Sequence, residues 1–136
     1  MNKYLLDTNV VSETRKPRPH GAVMQWLSGM ELGSTFLSAV TLGELQVGIE
    51  KTRRQDPLKA EEIERWVDQL AETYEVLPMD APCFREWARI MPNQQPDLLE
   101  DAMIAATARV HRLIVATRNE RDFKQLEVRT FNPFKN

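Results

Sequence analysis

Tyr4-Leu5-Leu6-Asp7-Thr8-Asn9 is the stretch that decides the fold. An apolar run that stops at a carboxylate and two small polar residues reads as a buried strand with Asp7 at its carboxyl edge. In open α/β sheets, ligands sit in the crevice beyond the carboxyl ends of the strands. Other acids of interest are therefore expected to converge there. Asp7 also has a purely structural reading, as N-cap of the helix that follows. Thr8 or Asn9 can fill that role and leave Asp7 free for chemistry.

Downstream, Val10-Val11-Ser12-Glu13-Thr14 reads as one helical turn. The basic, proline-broken loop Arg15-Lys16-Pro17-Arg18-Pro19 follows it, either a solvated connector or a grip on a phosphate backbone. Helical spacing of Val23, Trp26 and Leu27 predicts a helix from Ala22 to Met30. Ser34 to Ser38 predicts a second strand running straight into a helix from Ala39 to Lys51, with Leu42, Leu45 and Ile49 on one face. Glu44 carries two readings. Thr41-x-x-Glu44 matches a capping box, while a place in the first turns after a strand puts Glu44 at the same sheet edge as Asp7.

A polar hinge from Lys51 to Pro57 leads to the longest helical pattern, Leu58 to Thr73, with Ile63, Trp66, Val67 and Leu70 in register. Hinge and helix make a helical hairpin whose bend carries Arg53 and Arg54, again either solvated or in contact with nucleic acid. Trp26 and Trp66 on these outer helices suggest either a dimer face or packing in the monomer core. Tyr74 to Asp80 reads as a third strand closed by an N-cap, and Pro82 to Met91 as a helix bearing Phe84, Trp87 and Ile90.

The second informative stretch is Asp97-Leu98-Leu99-Glu100-Asp101-Ala102-Met103-Ile104-Ala105-Ala106-Thr107-Ala108. Asp97 is the natural N-cap and Glu100 its box partner. Asp101 shares a stripe with Leu98, Ile104, Ala105 and Ala108, which places a carboxylate on the buried face. With no fixed cation nearby, an ionised acid there calls for a bound metal or a cavity shared with other acids. Leu113 to Thr117 predicts a fourth, buried strand, bringing Thr117, Asn119 and Asp122 to the same edge. Glu127 to Phe131 predicts a last, edge-like strand.

A chain of 136 residues with 42% hydrophobic and 28% charged residues fits one globular domain, 1–136. No apolar run approaches the ~20 residues that span a bilayer. The first residues form no export pattern, so a cytoplasmic location without a membrane partner is expected. Cys83 is single, and with only His20 and His111 beside it any metal would be held by oxygen. The net charge of −2 excludes a polycation that binds nucleic acid by bulk electrostatics.

Alternating strands and helices with short loops predict an α/β fold: a three-layer α/β/α domain with a parallel sheet of four to five strands and a helical hairpin insertion. Its edge gathers Asp7, Glu44, Asp101 and Asp122, with Asn119 close by. Four carboxylates in one crevice do not all stay ionised without a cation. Hard oxygen ligands select Mg²⁺ or Mn²⁺, and the reaction class that fits is metal-assisted phosphodiester hydrolysis.

These segments, with Leu37-Ser38-Ala39-Val40-Thr41-Leu42-Gly43-Glu44-Leu45, Val115-Ala116-Thr117-Arg118-Asn119, Asp122-Phe123 and Phe131-Asn132-Pro133, resemble PIN-domain proteins nearly end to end. The resemblance is strongest to the VapC-type ribonuclease toxins of toxin–antitoxin pairs, including the FitB-like branch. It implies a Mg²⁺- or Mn²⁺-dependent endoribonuclease in which Asp7 and Asp101 bind metal and Glu44 completes the cluster. Thr8, Asn9, Thr117 and Asn119 are implied supporting residues. Some relatives carry Asp at the place of Asn119, where Asp122 is the substitute. Arg15, Lys16, Arg18, Arg53 and Arg54 are candidate RNA backbone contacts. Implied partners are the RNA substrate, a second copy, a VapB-type antitoxin whose tail fills the acidic groove, and operator DNA through that complex.

Other classes fit less well. A haloacid-dehalogenase phosphatase needs an acid where Asn9 stands, and a receiver domain needs a lysine at the end of a late strand. A PIN-like binding module that joins an antitoxin and DNA without cleaving RNA is the remaining alternative.

Overall fold

Five strands run parallel in the order β3-β2-β1-β4-β5 in a computed structural model that describes residues 1–135. They are β1 (Tyr4–Leu6), β2 (Thr35–Ser38), β3 (Glu75–Leu77), β4 (Ile114–Ala116) and β5 (Thr130–Phe131). Around them lie α1 (Thr8–Val11), α2 (Gly21–Ser28), α3 (Ala39–Arg53), α4 (Pro57–Thr73), α5 (Ala81–Ile90), α6 (Leu99–His111) and α7 (Glu120–Gln125). This is the expected three-layer arrangement, with α3 and α4 as the helical hairpin.

Successive strand residues point to opposite faces, and the two central leucines show it. Leu5 joins Val115, Ile104, Ala105, Phe123 and Leu126 in a core against α5, α6 and α7. Leu6 joins Leu37, Ala116, Val10, Val23 and Leu70 in a core against α2, α3 and α4. Ala102, Ala105, Ala106 and Ala108 are fully buried, so α6 lies close against the sheet. Burying each large side chain contributes roughly 1.5–3 kcal/mol relative to exposure.

Several local expectations are corrected. Asp7 itself caps α1, its side chain accepting from Thr8 N, so neither Thr8 nor Asn9 takes that role. Ser38 caps α3, its Oγ accepting from Val40 N, because the helix starts directly at the strand end. Thr41 is thereby drawn inside the first turn and buried, and no capping box with Glu44 forms. Asp97 caps nothing. Pro96 opens a tight turn over Pro96–Leu98 that holds Asp97 inside it, and α6 begins at Leu99 without a side-chain cap. The edge strand shrinks to Thr130–Phe131, since Glu127 adopts a left-handed backbone (φ 56°) that breaks an extended run. The segment before it folds as α7, which hydrophobic spacing does not reveal in six residues.

Trp26 and Trp66 are partly buried against the second core, and Trp26 packs on Tyr4 and Phe131 with ring centroids 5.0 and 5.3 Å away. Both contribute to the monomer core.

Candidate active site

From β1 the chain passes to β2 on one side, while β4 lies on the other, so the strand order reverses between β1 and β4. Asp7 follows β1 and Thr117 follows β4, both at the crevice opened by that reversal. Asp7 is 4% exposed and fully engaged. Its Oδ1 accepts from Thr8 N (2.9 Å), and its Oδ2 accepts from Thr117 Oγ1 (2.7 Å) and Asn9 Nδ2 (3.1 Å). Burial pushes the Asp7 carboxyl above the usual range, against the pull of those bonds from Thr117, Thr8 and Asn9.

Glu44 reaches the same crevice from α3, where Thr8 Oγ1 donates to its Oε1 at 3.1 Å. Its pKa is pushed up to about 7, first by burial, then by a hydrogen bond with the Glu100 carboxyl, and further by the charges of Glu100 and Asp7. Asp101, half-buried on α6, is pushed up to about 6, first by burial and then by the charges of Asp7, Asp122, Glu100 and Asp97. Among the described residues Asp101 has no hydrogen-bond or ion-pair partner. Glu100, read from sequence as a box partner, thus belongs to the acidic group. Its position in the first turn of α6, beside Asp101, is the signal that places it there.

Asp122 lies on α7, close enough for its charge to act on Asp101. Asn119 is exposed at the start of α7, and its N–H donates to Thr117 Oγ1 (2.9 Å). The sheet edge therefore brings together Asp7, Glu44, Asp101 and Asp122, with Thr8, Asn9 and Thr117 bonded to the acids and Asn119 exposed beside Thr117.

The donor set fits a hard divalent cation in its chemistry: all-oxygen ligands, mutually repelling, with Asp101 and Asp122 both unpartnered among the described residues. The cage is not closed as it stands. Among the described residues no three His, Cys, Asp or Glu side chains are gathered tightly enough to hold an ion.

The expected basic residues are mostly spent on other contacts. Arg53 pairs with Glu50 (3.0 Å) and Glu64 (2.7 Å), about 13 Å along α3 from Glu44 at the rise of a helix. Arg15 lies over the Trp66 ring (5.8 Å), and Lys16 pairs with Glu13. Arg18 and Arg54 are exposed. Arg118 stands nearer the acids, one residue past the end-of-strand Thr117, a sequence position that marks it for the same edge.

The Thr117–Asp7 bond predicts a measurable cost. Thr117→Val keeps the shape but leaves a buried carboxylate oxygen short of its closest donor. Urea unfolding is expected to show a loss of about 1.5–3 kcal/mol, and an unchanged midpoint would mean that this bond contributes nothing.

Comparison with known proteins agrees with the fold. A model of the PIN domain matches residues 4–128. Toxin FitB of Neisseria gonorrhoeae is 35% identical over 136 residues, covering 96% of this chain and 97% of that protein. VapC ribonuclease Y4jK of Sinorhizobium fredii is 32% identical, covering 96% of each. The crystal structure of FitAcB from Neisseria gonorrhoeae superposes with a TM-score of 0.85 at 32% identity, over 98% of this chain and 99% of that one. The chain belongs to the PIN-domain family, with toxin ribonucleases among its relatives.

Proposed function

We propose that this protein is a metal-dependent endoribonuclease, the toxin of a type II toxin–antitoxin pair. The observation that carries the proposal is the convergence of Asp7, Glu44 and Asp101 on one crevice, with the carboxyls of Glu44 and Asp101 raised by burial and by each other's neighbours. Its similarity to a VapC ribonuclease and a toxin supports the same reading.

Asp7 and Asp101 would hold Mg²⁺ or Mn²⁺, which when bound neutralises charge at a scissile phosphate and acidifies a water. Thr117, Asn9 and the Thr8 N–H fix the Asp7 carboxylate in one orientation. Glu44, oriented by Thr8, stands ready to hold or accept a proton near neutral pH. Asp122 extends the negative field on the α7 side, and Asn119 adds a neutral polar group there.

The same acidic crevice suits a cationic segment of a VapB-type antitoxin, with operator DNA engaged through that complex. We place the protein in the cytoplasm, as a homodimer; exposed apolar side chains such as Leu58 and Val47 support the pairing of two copies. Among the described residues no helix is long and apolar enough to cross a membrane.

The test is incubation of the purified protein with a mixed cellular RNA pool plus Mn²⁺ or Mg²⁺, beside an EDTA control. Discrete cuts that need metal are expected. No cutting with either metal would favour the binding-module reading, to which the open arrangement of the carboxylates lends its one point of support.

A further inference from the structure

Glu13 is a buried acid with no part in the acidic crevice. It is 3% exposed, accepts from Lys16 Nζ and from His20 N (2.9 Å), and lies 3.8 Å from Arg118 Nη2. The Lys16 ammonium, and then the His20 N–H, hold its carboxyl below the ordinary glutamate value. Arg118 is fixed from two further directions. Its guanidinium lies 3.9 Å above the Phe134 ring, which itself packs on His20. Its backbone N–H donates to Asn9 Oδ1 (3.2 Å), and Asn9 Nδ2 donates onward to Asp7 Oδ2.

This clamp holds a cation in place without using its donors. At 3.8 Å the Glu13 contact is an ion pair and too long for a hydrogen bond. Among the described residues no side-chain N–H of Arg118 makes a hydrogen bond, and the side chain is 52% exposed. An open notch of about 380 Å³ lies beside it, lined also by Asn119, Glu120, Arg121, Asp122, Asn132 and Lys135. Arg121 has no ion-pair partner among the described residues, while Lys135 is paired with Glu120 (2.9 Å). The notch therefore adjoins the acidic crevice at Asp122 and offers two unspent guanidinium groups. A planar fork with free donors matches the oxygens of a phosphodiester.

We propose that Arg118, clamped by Glu13 and Phe134 and assisted by Arg121, contacts a backbone phosphate of the RNA strand on the Asp122 side of the acidic crevice. The inference rests on the ribonuclease reading and adds a polarity to it: the strand runs from the acids over β4 into this notch. Glu13 is a positioning residue, acting through Arg118.

Binding of a short labelled single-stranded oligoribonucleotide in EDTA, which prevents cleavage, tests the contact. Arg118→Ala is expected to weaken affinity about tenfold and to reduce the slope of log K against log[salt] by about 0.7, the increment of one phosphate on a single strand. Arg121→Ala should do the same to a smaller degree. Glu13→Gln should weaken binding in the wild-type background and add nothing in the Arg118→Ala background. In turnover, Arg118→Ala should raise KM with little change in kcat. Unchanged affinity and salt slope in a folded Arg118→Ala protein would overturn the contact, and additive losses from Glu13→Gln would overturn its positioning role. If the wild type cuts no RNA but Arg118→Ala still lowers affinity and slope, the nuclease reading fails and the phosphate contact stands. If the wild type cuts RNA and Arg118→Ala binds as before, the reverse holds.

Discussion

Asp101→Asn is expected to reduce metal-dependent RNA cleavage by about 10²–10³-fold while raising the melting temperature of the metal-free protein. The two effects have one cause. Asp101 carries a charge that four other carboxylates repel, without a hydrogen bond to compensate. The amide removes that charge, so the fold loses a repulsion and the crevice loses a ligand. The gain in stability should be on the order of 2–4 °C, the shift that about 1 kcal/mol produces in a domain somewhat larger than this one, kept small because the side chain is half-exposed to solvent screening.

Asp7→Asn should abolish cleavage as well, but it is the less clean experiment. Both Asp7 oxygens accept hydrogen bonds, and an amide turns a donor toward either Thr117 or the Thr8 N–H. Single-turnover cleavage with Mn²⁺ and thermal melting in EDTA separate the two variants. Wild-type cutting by Asp101→Asn would remove Asp101 from the chemistry. Lost cutting with a lowered melting temperature would make its carboxylate a structural requirement.

Why the sequence led to this edge but misjudged its fittings is a matter of range. Leu5-Leu6-Asp7 and Val115-Ala116-Thr117 announce their strands because continuous burial on both faces leaves a continuous apolar run. Asp101 was legible because a helical stripe has a fixed angular period, and an acid on the apolar side stands out. Caps were less legible. Ser38, Thr41, Asp97 and Asp7 are all competent cap residues, and which one acts depends on where the preceding strand or proline releases the chain. The Arg118 clamp was not legible at all. Its partners Glu13 and Phe134 are far apart in sequence, and it takes the β1–β4 and β4–β5 pairings together to bring them to Arg118.

Adding Mn²⁺ or Mg²⁺ at about 100 times its dissociation constant should stabilise the protein at pH 7.5 by about 2.7 kcal/mol, or on the order of 5–10 °C. At pH 5 the same addition should do almost nothing. Folding raises the pKa of Glu44 from 4.5 to about 7 and of Asp101 from 3.8 to about 6. A raised carboxyl means that the native state binds the proton more tightly than the unfolded chain. Its stabilising contribution is complete below the ordinary value and is lost as pH climbs through about 6 and 7. The metal-free protein should therefore weaken between about pH 4 and 7.5 on account of these two groups.

Glu13 and Asp80 are shifted downward, so their contributions are present above their ordinary values and disappear only in more acidic solution. They leave the window clear. A divalent ion replaces the protons at neutral pH and competes poorly with them at pH 5, so its effect should track the deprotonation of the cluster. Melting curves at both pH values, with EDTA and with metal, carry the test, and Asp101→Asn should flatten the metal response at pH 7.5. A metal shift of equal size at both pH values, or one that survives Asp101→Asn, would place the ion somewhere other than this crevice.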